Sequence, residues 1–443
     1  MMAKTPREIV DEGRLGGWQI AALGMTILLN ALDGFDVMSI SFAAPGIAEE
    51  WQVPQDVLGW VLSMELIGMA VGSILLGGMA DRFGRRPTIL GCLTVMGAGM
   101  LLVPTATGVA QLSLWRLLTG LGIGGMLAAL NATVAEFSNA RYRSLVLPLM
   151  VTGYPLGAFL GGMMAANVLD AGDWRGVFYL GAGLTIAAIP LSFFLIPETP
   201  DWLVDRRPAN ALQRINTILR RFRLPEATEL PEPSAGPRRS SIADILRPPL
   251  LSRTLLLTLA YLTHVTAYYY FVKWIPKLVV DMGFDASAGG GVLTKAMLGG
   301  AIGGGLLGVV ALRIGIKKAT VIALAGAFVM LNIFGQAPED IAMLGWIAGV
   351  TAFFSNAAAV GFYALLAMAF PPHVRATGTG FGIGFGRAGA AMGPALAGIL
   401  FARGLDVEAV SLIISIGSAV SICAILLVRI TAGPRAATDR RDA

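Results

Sequence analysis

Of the 443 residues, 55% are apolar and 14% charged, and the mean hydropathy of +0.70 excludes a water-soluble domain of this length and puts most of the chain in lipid. The net charge of +5 sits in loop arginines, so it reads as a topology signal, with no nucleic-acid partner expected. The first 17 residues are polar, and the apolar segment after them is too long for a signal-peptide core, so no cleavable signal is expected. A spanning helix needs about 20 mostly apolar residues. Spans follow near 18–44, 57–79, 88–106, 109–136, 144–169 and 175–196, with the least distinct break at Pro104 to Gln111. Residues 197–250, rich in Arg, Pro and Glu, read as a cytoplasmic linker. Six more spans lie near 251–280, 288–312, 318–335, 340–370, 376–402 and 407–431, before a tail at 432–443. The expected fold is an all-α polytopic membrane protein, twelve helices in two pseudo-symmetric six-helix bundles over 18–196 and 251–431.

Lipid gives helices no hydrophobic reason to associate, so the 56 glycines read as close helix contacts. Cys92 and Cys423 fall in spans of opposite halves, and no disulfide is expected. One set of loops holds Arg82, Arg85, Arg86, Arg141, Arg143, ten arginines from Arg206 to Arg253, Arg313, Lys317, Lys318 and Arg375; the other holds only Arg175 and Arg403. The positive-inside rule makes the first set and both termini cytoplasmic, in a cell inner membrane.

The halves echo each other. Gly77-Gly-Met-Ala-Asp81-Arg82-Phe-Gly84-Arg85-Arg86 after the second span has a degenerate copy in Gly308-Val-Val-Ala-Leu312-Arg313-Ile-Gly315-Ile316-Lys317-Lys318 after the eighth. The offset, 312 − 81 = 231, carries Asp33 onto His264. This loop motif, with Arg116-Leu-Leu-Thr-Gly120-Leu-Gly122-Ile-Gly124 and the Pro197-Glu-Thr-Pro200 end of the sixth span, resembles the signature of the major facilitator superfamily. Leu32-Asp33-Gly34-Phe35-Asp36, and Gly386-Arg387-Ala-Gly389 with Gly393-Pro394, resemble its aromatic acid:proton symporter family. The second loop copy departs from the pattern, with Leu312 for the acid and Ile316 for a base.

Asp33 and Asp36 share a helix face at i, i+3. A charge at mid-bilayer costs about 3 kcal/mol or more, which an unpaired acid escapes by taking a proton. The pair is therefore either a proton carrier or a pair of salt-bridged structural groups facing a wet cavity. By helical rise Asp36 lies about 12 Å, Asp33 about 16 Å and Arg116 about 10 Å below the outer ends of their helices. Arg116 thus reads as a partner for the acids, nearer Asp36 and leaving Asp33 free to titrate, with Glu65 a competitor; the alternative is a packing clamp. Arg387, near the midplane of the eleventh span, presents a planar fork suited to a substrate carboxylate, with Arg116 the alternative holder of that anion.

His264 either relays protons, hydrogen-bonds a ring substituent or is a satisfied polar group. Lys273 and Lys295 read as snorkelling residues. Tyr154, Tyr268 and Phe385 are candidates to stack on an aromatic ring, the alternative for any one being the interfacial belt. Asp81, Arg82, Arg85 and Arg86, with Glu136 and Arg141, read as a cytoplasmic gate; the resemblance implies that Asp81 caps the eleventh span near Thr377. No ATP-binding loop or nucleophile motif is present in the sequence, and His264 and His373 are too far apart for a local metal motif. The expectation is a transporter rather than an enzyme, without cofactor or metal, working as a monomer. It would take up a small aromatic carboxylate with protons; the alternative is a proton-driven exporter of drugs or aromatic compounds.

Overall fold

The structure, a computed structural model, describes residues 4–231, 241–371 and 374–428. His373, the tail 432–443 and the centre of the linker lie outside the described residues. A short helix, α1 (Pro6–Glu12), is capped by Thr5. The spans of the first half are α2 (Gly17–Trp51), α3 (Gln55–Leu75), α5 (Arg85–Leu102), α6 (Val109–Phe137), α7 (Arg143–Leu169) and α8 (Trp174–Leu195), with α4 (Met79–Phe83) inside the loop motif. The linker carries α9 (Pro200–Arg206), α10 (Ala211–Arg221) and α11 (Ile242–Ile245). The second half comprises α12 (Leu251–Asp281), α13 (Ala286–Ile314), α14 (Ile316–Gly335), α15 (Ile341–Ala369), α16 (Arg375–Ala402) and α17 (Val407–Leu427). Among the described residues, 12 helices are long and apolar enough to cross a membrane.

The expected first span stops at residue 44, yet α2 runs through Pro45 to Trp51. A membrane helix tolerates an internal proline because its neighbours re-satisfy the freed backbone group. The break expected near Pro104 falls on a single 3-10 turn, Val103–Thr105, ahead of α6.

The repeat offset is visible in the backbone. Gly84 and Gly315, 231 apart by subtraction, open α5 and α14 with φ of 111° and 85°, a region that disfavours any residue with a Cβ. In the first half a Cβ on Gly157 would lie 1.8 Å from the Ala31 carbonyl oxygen; in the second, one on Gly389 would lie 2.4 Å from that of Leu262, and 262 − 31 = 231. The first and fifth spans of each half therefore touch backbone to backbone at equivalent points, the contact that small residues permit in lipid.

Between the halves, α3 packs on α16 and α7 on α13. On the side away from the linker these pairs are tight: a Cβ on Gly59 would lie 2.6 Å from the Pro394 carbonyl oxygen and one on Gly398 2.5 Å from that of Gln55. Further along the same face of α16, Arg387 still reaches the Met69 carbonyl at 3.3 Å. Beyond it, Gly384 and Gly380 face open space. On α13, Thr294 meets Gly162, but Gly305 and Gly308 on the same face meet nothing. The interface is thus sealed on the far side and parted on the linker side.

Candidate functional site

Three charged residues from three helices meet on the sealed side. Arg116 of α6, Glu65 of α3 and Lys273 of α12 are each 0% exposed. Arg116 pairs with one oxygen of Glu65 and donates to the Asp36 main-chain carbonyl at 2.9 Å. Its guanidinium also lies 5.4 Å from the Phe178 ring centroid. Lys273 reaches across from the second half to donate to the Val37 carbonyl, with its ammonium 3.7 Å from Glu65. Buried charges persist only when paired and hydrogen-bonded, and Glu65 serves two cations at once. Snorkelling therefore does not describe Lys273. The signal was available: by helical rise it sits about 12 Å from the end of α12, too deep for its own stem to bring the ammonium to water.

The acids of α2 lie beside this cluster. Among the described residues, both carboxyl oxygens of Asp33 are buried without a hydrogen-bond partner, as is Oδ1 of Asp36, while Oδ2 of Asp36 accepts from the Thr185 hydroxyl at 3.3 Å. Asp36 is at the level of Arg116, as depth implied, but the contact goes to its main chain. The expected Arg116–carboxylate pair is corrected here: Glu65, approaching from α3, occupies the guanidinium. Gly34, between the acids, packs on the Tyr154 carbonyl, which brings α7 against the same level.

Arg387 is half-buried where α3 and α16 part, and its one hydrogen bond among the described residues is to Met69. No carboxylate lies within ion-pair distance of it among the described residues. It is within electrostatic reach of Asp33, Tyr261 and Tyr269. The Tyr154 hydroxyl is buried beside Tyr268 and Tyr269. Tyr261 meets Tyr363 hydroxyl to hydroxyl at 3.2 Å. The rings of Tyr268 and Tyr269 pack edge to face, with centroids 5.4 Å apart.

Two expected ligand residues are placed elsewhere. His264 is 1% exposed and turned into the second half, where Nε2 contacts the Ser355 carbonyl at 2.9 Å, Nδ1 contacts the Ser418 hydroxyl at 3.4 Å and the ring stacks on Phe362. Both nitrogens are used, the satisfied-polar-group outcome. Phe385 packs on Phe381 and shares its helix face with exposed Met392 and Leu396, so it looks out to lipid.

On the linker side, Arg85 organises the first half's loops. It pairs with Asp81 at 3.2 Å and Glu136 at 2.8 Å, and its backbone N–H donates to Glu198 at 2.9 Å. Glu198 also fills the space where Gly84 lacks a side chain. Burial pushes the Glu198 carboxyl above its ordinary value despite backbone donors from Thr199 and Arg85. Burial likewise raises Asp201, although Arg7 pairs with it at 2.9 Å. Arg86 lies over Phe193, Arg82 over Phe83 and Arg141 over Tyr142. Glu136 is thus the partner of Arg85 rather than of Arg141 or Arg143, and Arg143 pairs with Asp11 instead. The expected cap of the eleventh span by Asp81 is corrected for this state: the Asp81 carboxylate pairs with Arg85 and its main-chain carbonyl accepts from Trp202 and Arg206, all of the first half and linker, because the halves are parted on that side.

A profile of the Major Facilitator Superfamily matches residues 26–338, well over half the chain. The chain belongs to the Major Facilitator Superfamily. Within the superfamily it is similar to a 3-(3-hydroxy-phenyl)propionate transporter of Escherichia coli K12, 28% identical over 86% of this chain and 87% of the relative. A 4-hydroxybenzoate transporter, PcaK, of Pseudomonas aeruginosa is 28% identical over 93% and 92%, and a gallate transporter of Pseudomonas putida 28% over 90% and 89%. A solved D-xylose-proton symporter superposes with a TM-score of 0.71 at 16% identity, covering 93% of this chain and 97% of that one. That likeness concerns the fold alone.

Proposed function

We propose that the chain is a secondary transporter that takes up a small aromatic carboxylate together with a proton, by alternating access between two six-helix units, 18–196 and 251–431. The linker side is cytoplasmic in this reading, so the conformation described is inward-open, in an inner membrane, with a monomer as the working unit. The observation that carries the reading is Arg387, a half-buried guanidinium without a carboxylate partner among the described residues, at the inner end of the sealed interface and within reach of Tyr261 and Tyr269. A planar fork beside phenol rings suits a ring that bears a carboxylate. The names of the relatives, all transporters of aromatic acids, support the same class of substrate.

Charge counting supports the coupling. Asp33, Asp36 and Glu65 face Arg116, Lys273 and Arg387, three acids against three bases. Ionised throughout, this centre is neutral and has no surplus charge for an anion. Once Asp33 takes a proton, one positive charge is left for the substrate, so proton and anion bind favourably together. The proton also offsets the cost of moving a monoanion inward against the membrane potential, about 2.3 kcal/mol per 100 mV. In proteoliposomes with an inward-directed proton gradient, labelled 4-hydroxybenzoate, gallate or benzoate is expected to accumulate. Failure of all three to accumulate, or their extrusion by the gradient, overturns the reading.

A further inference from the structure

Lys273 has an unusual set of partners. It belongs to the second half, is 0% exposed, and its two polar contacts among the described residues, the Val37 carbonyl and Glu65, belong to the first. In an alternating carrier, opening the far side withdraws α12 from α2 and α3, and Lys273 loses both at once. A bare ammonium between two low-dielectric walls needs an anion. Glu65 is bound through Oε2 to Arg116 and Lys273 while its Oε1 has no hydrogen-bond partner, so its hold on Lys273 is a single shared oxygen. By helical rise Lys273 lies about 12 Å and Arg387 about 22 Å from the far ends of their helices, two cations of the second half in sequence along the path.

We propose that Lys273 is a second anion-binding residue of this transport path, which takes the substrate's carboxylate when the far side is open and gives it up when Glu65 displaces it. The proposal rests on the reading that the path carries an organic carboxylate. Glu65 is then an internal stand-in for the substrate: on closure its carboxylate recovers Lys273 and frees the substrate to move inward to Arg387. No bond is made or broken; one carboxylate replaces another on the same ammonium.

The test uses full-length protein in lipid nanodiscs with labelled 4-hydroxybenzoate. Lys273→Met is expected to weaken binding about tenfold or more, and Lys273→Arg to retain most of it. Glu65→Gln is expected to tighten binding, because the internal competitor has gone. A pair that only holds helices together would weaken binding in both variants, and that result overturns the proposal. A second readout is independent of aromatic substrate: spin labels on Gln52→Cys and Asp285→Cys, exposed positions of the first and second halves on the far side. In Glu65→Ala formate is expected to move the labels apart, because the anion is held by Lys273 with the far side open, whereas in the Glu65→Ala/Lys273→Met double variant formate has no effect. If the wild type neither binds nor accumulates the aromatic acids, the aromatic reading falls and the formate response still decides Lys273. Absence of a formate response in Glu65→Ala overturns the assignment.

Discussion

The two halves descend from one six-helix plan, yet they treat a polar residue at the same place in their first helices in opposite ways. His264, one repeat offset from Asp33, is turned toward the fourth and sixth helices of its half, and both ring nitrogens are taken by Ser355 and Ser418. Asp33 is equally buried, and neither carboxyl oxygen has a partner. The second half continues its polar satisfaction along α17, where Ser411 contacts Tyr270, Ser415 contacts Asn332 and Ser421 contacts Thr263. It behaves as a hydrogen-bonded frame that presents Lys273 and Arg387 to the interface, while the first half holds buried carboxyl oxygens without partners among the described residues. Unsatisfied buried carboxyls are costly, and a fold retains them where the cost has a use.

The largest effect is expected at the paired centre. Arg116→Gln leaves Glu65 with only the ammonium of Lys273, 3.7 Å away, and thermal unfolding in detergent is expected to register a loss of about 3–5 kcal/mol. A loss no larger than that of an ordinary surface change would mean that the first half does not depend on its ions. His264→Gln sharpens the contrast from the other side: about 1–3 kcal/mol of stability is expected to go with its hydrogen bonds, while proton-driven uptake persists. Uptake that loses its pH dependence in this variant would put His264 back on the proton path.

The loop motifs offer a weaker version of the same contrast. Asp81 sits in an ionic network through Arg85, whereas its counterpart Leu312 is 87% exposed and has no charge to offer. Asp81→Asn is expected to slow uptake several-fold with little effect on stability, because its ion pair is exposed. Leu312→Asp is expected to leave uptake within about twofold. Equal effects of the two would erase the asymmetry. The smallest effect is expected at Glu198. Burial raises its value in the folded state, so between the ordinary glutamate value and the raised one the folded protein holds a proton that the unfolded chain releases. Stability therefore falls as pH rises through that window. Glu198→Gln is expected to flatten this slope in unfolding curves measured across the window.

Helix number, the duplication and the level of Asp36 against Arg116 were legible because hydropathy, loop motifs and helical rise are local properties. The rotation of each helix was not. His264 and Phe385 lie at plausible depths, but depth does not say which way a side chain faces, and all-round apolar helices carry little periodicity to supply that direction. Lys273 was missed for a related reason: an interfacial lysine and an inter-half lysine look alike until depth is compared with side-chain reach. The choice of Arg116 between Asp36 and Glu65 depended on the approach of α3, set by Gly68 and Gly120, whose backbones pack together. The state of the interface, sealed on one side and parted on the other, is written in no motif, because one sequence must support both closures.

Whether Asp33 carries the co-transported proton is decided by reconstituting Asp33→Asn beside the wild type. Uptake of labelled 4-hydroxybenzoate is measured once under an inward proton gradient and once as exchange against the same unlabelled acid without a gradient. A neutral, proton-mimicking amide is expected to abolish gradient-driven accumulation and to leave exchange running. Accumulation at the wild-type level in Asp33→Asn would rule out Asp33 as the proton carrier.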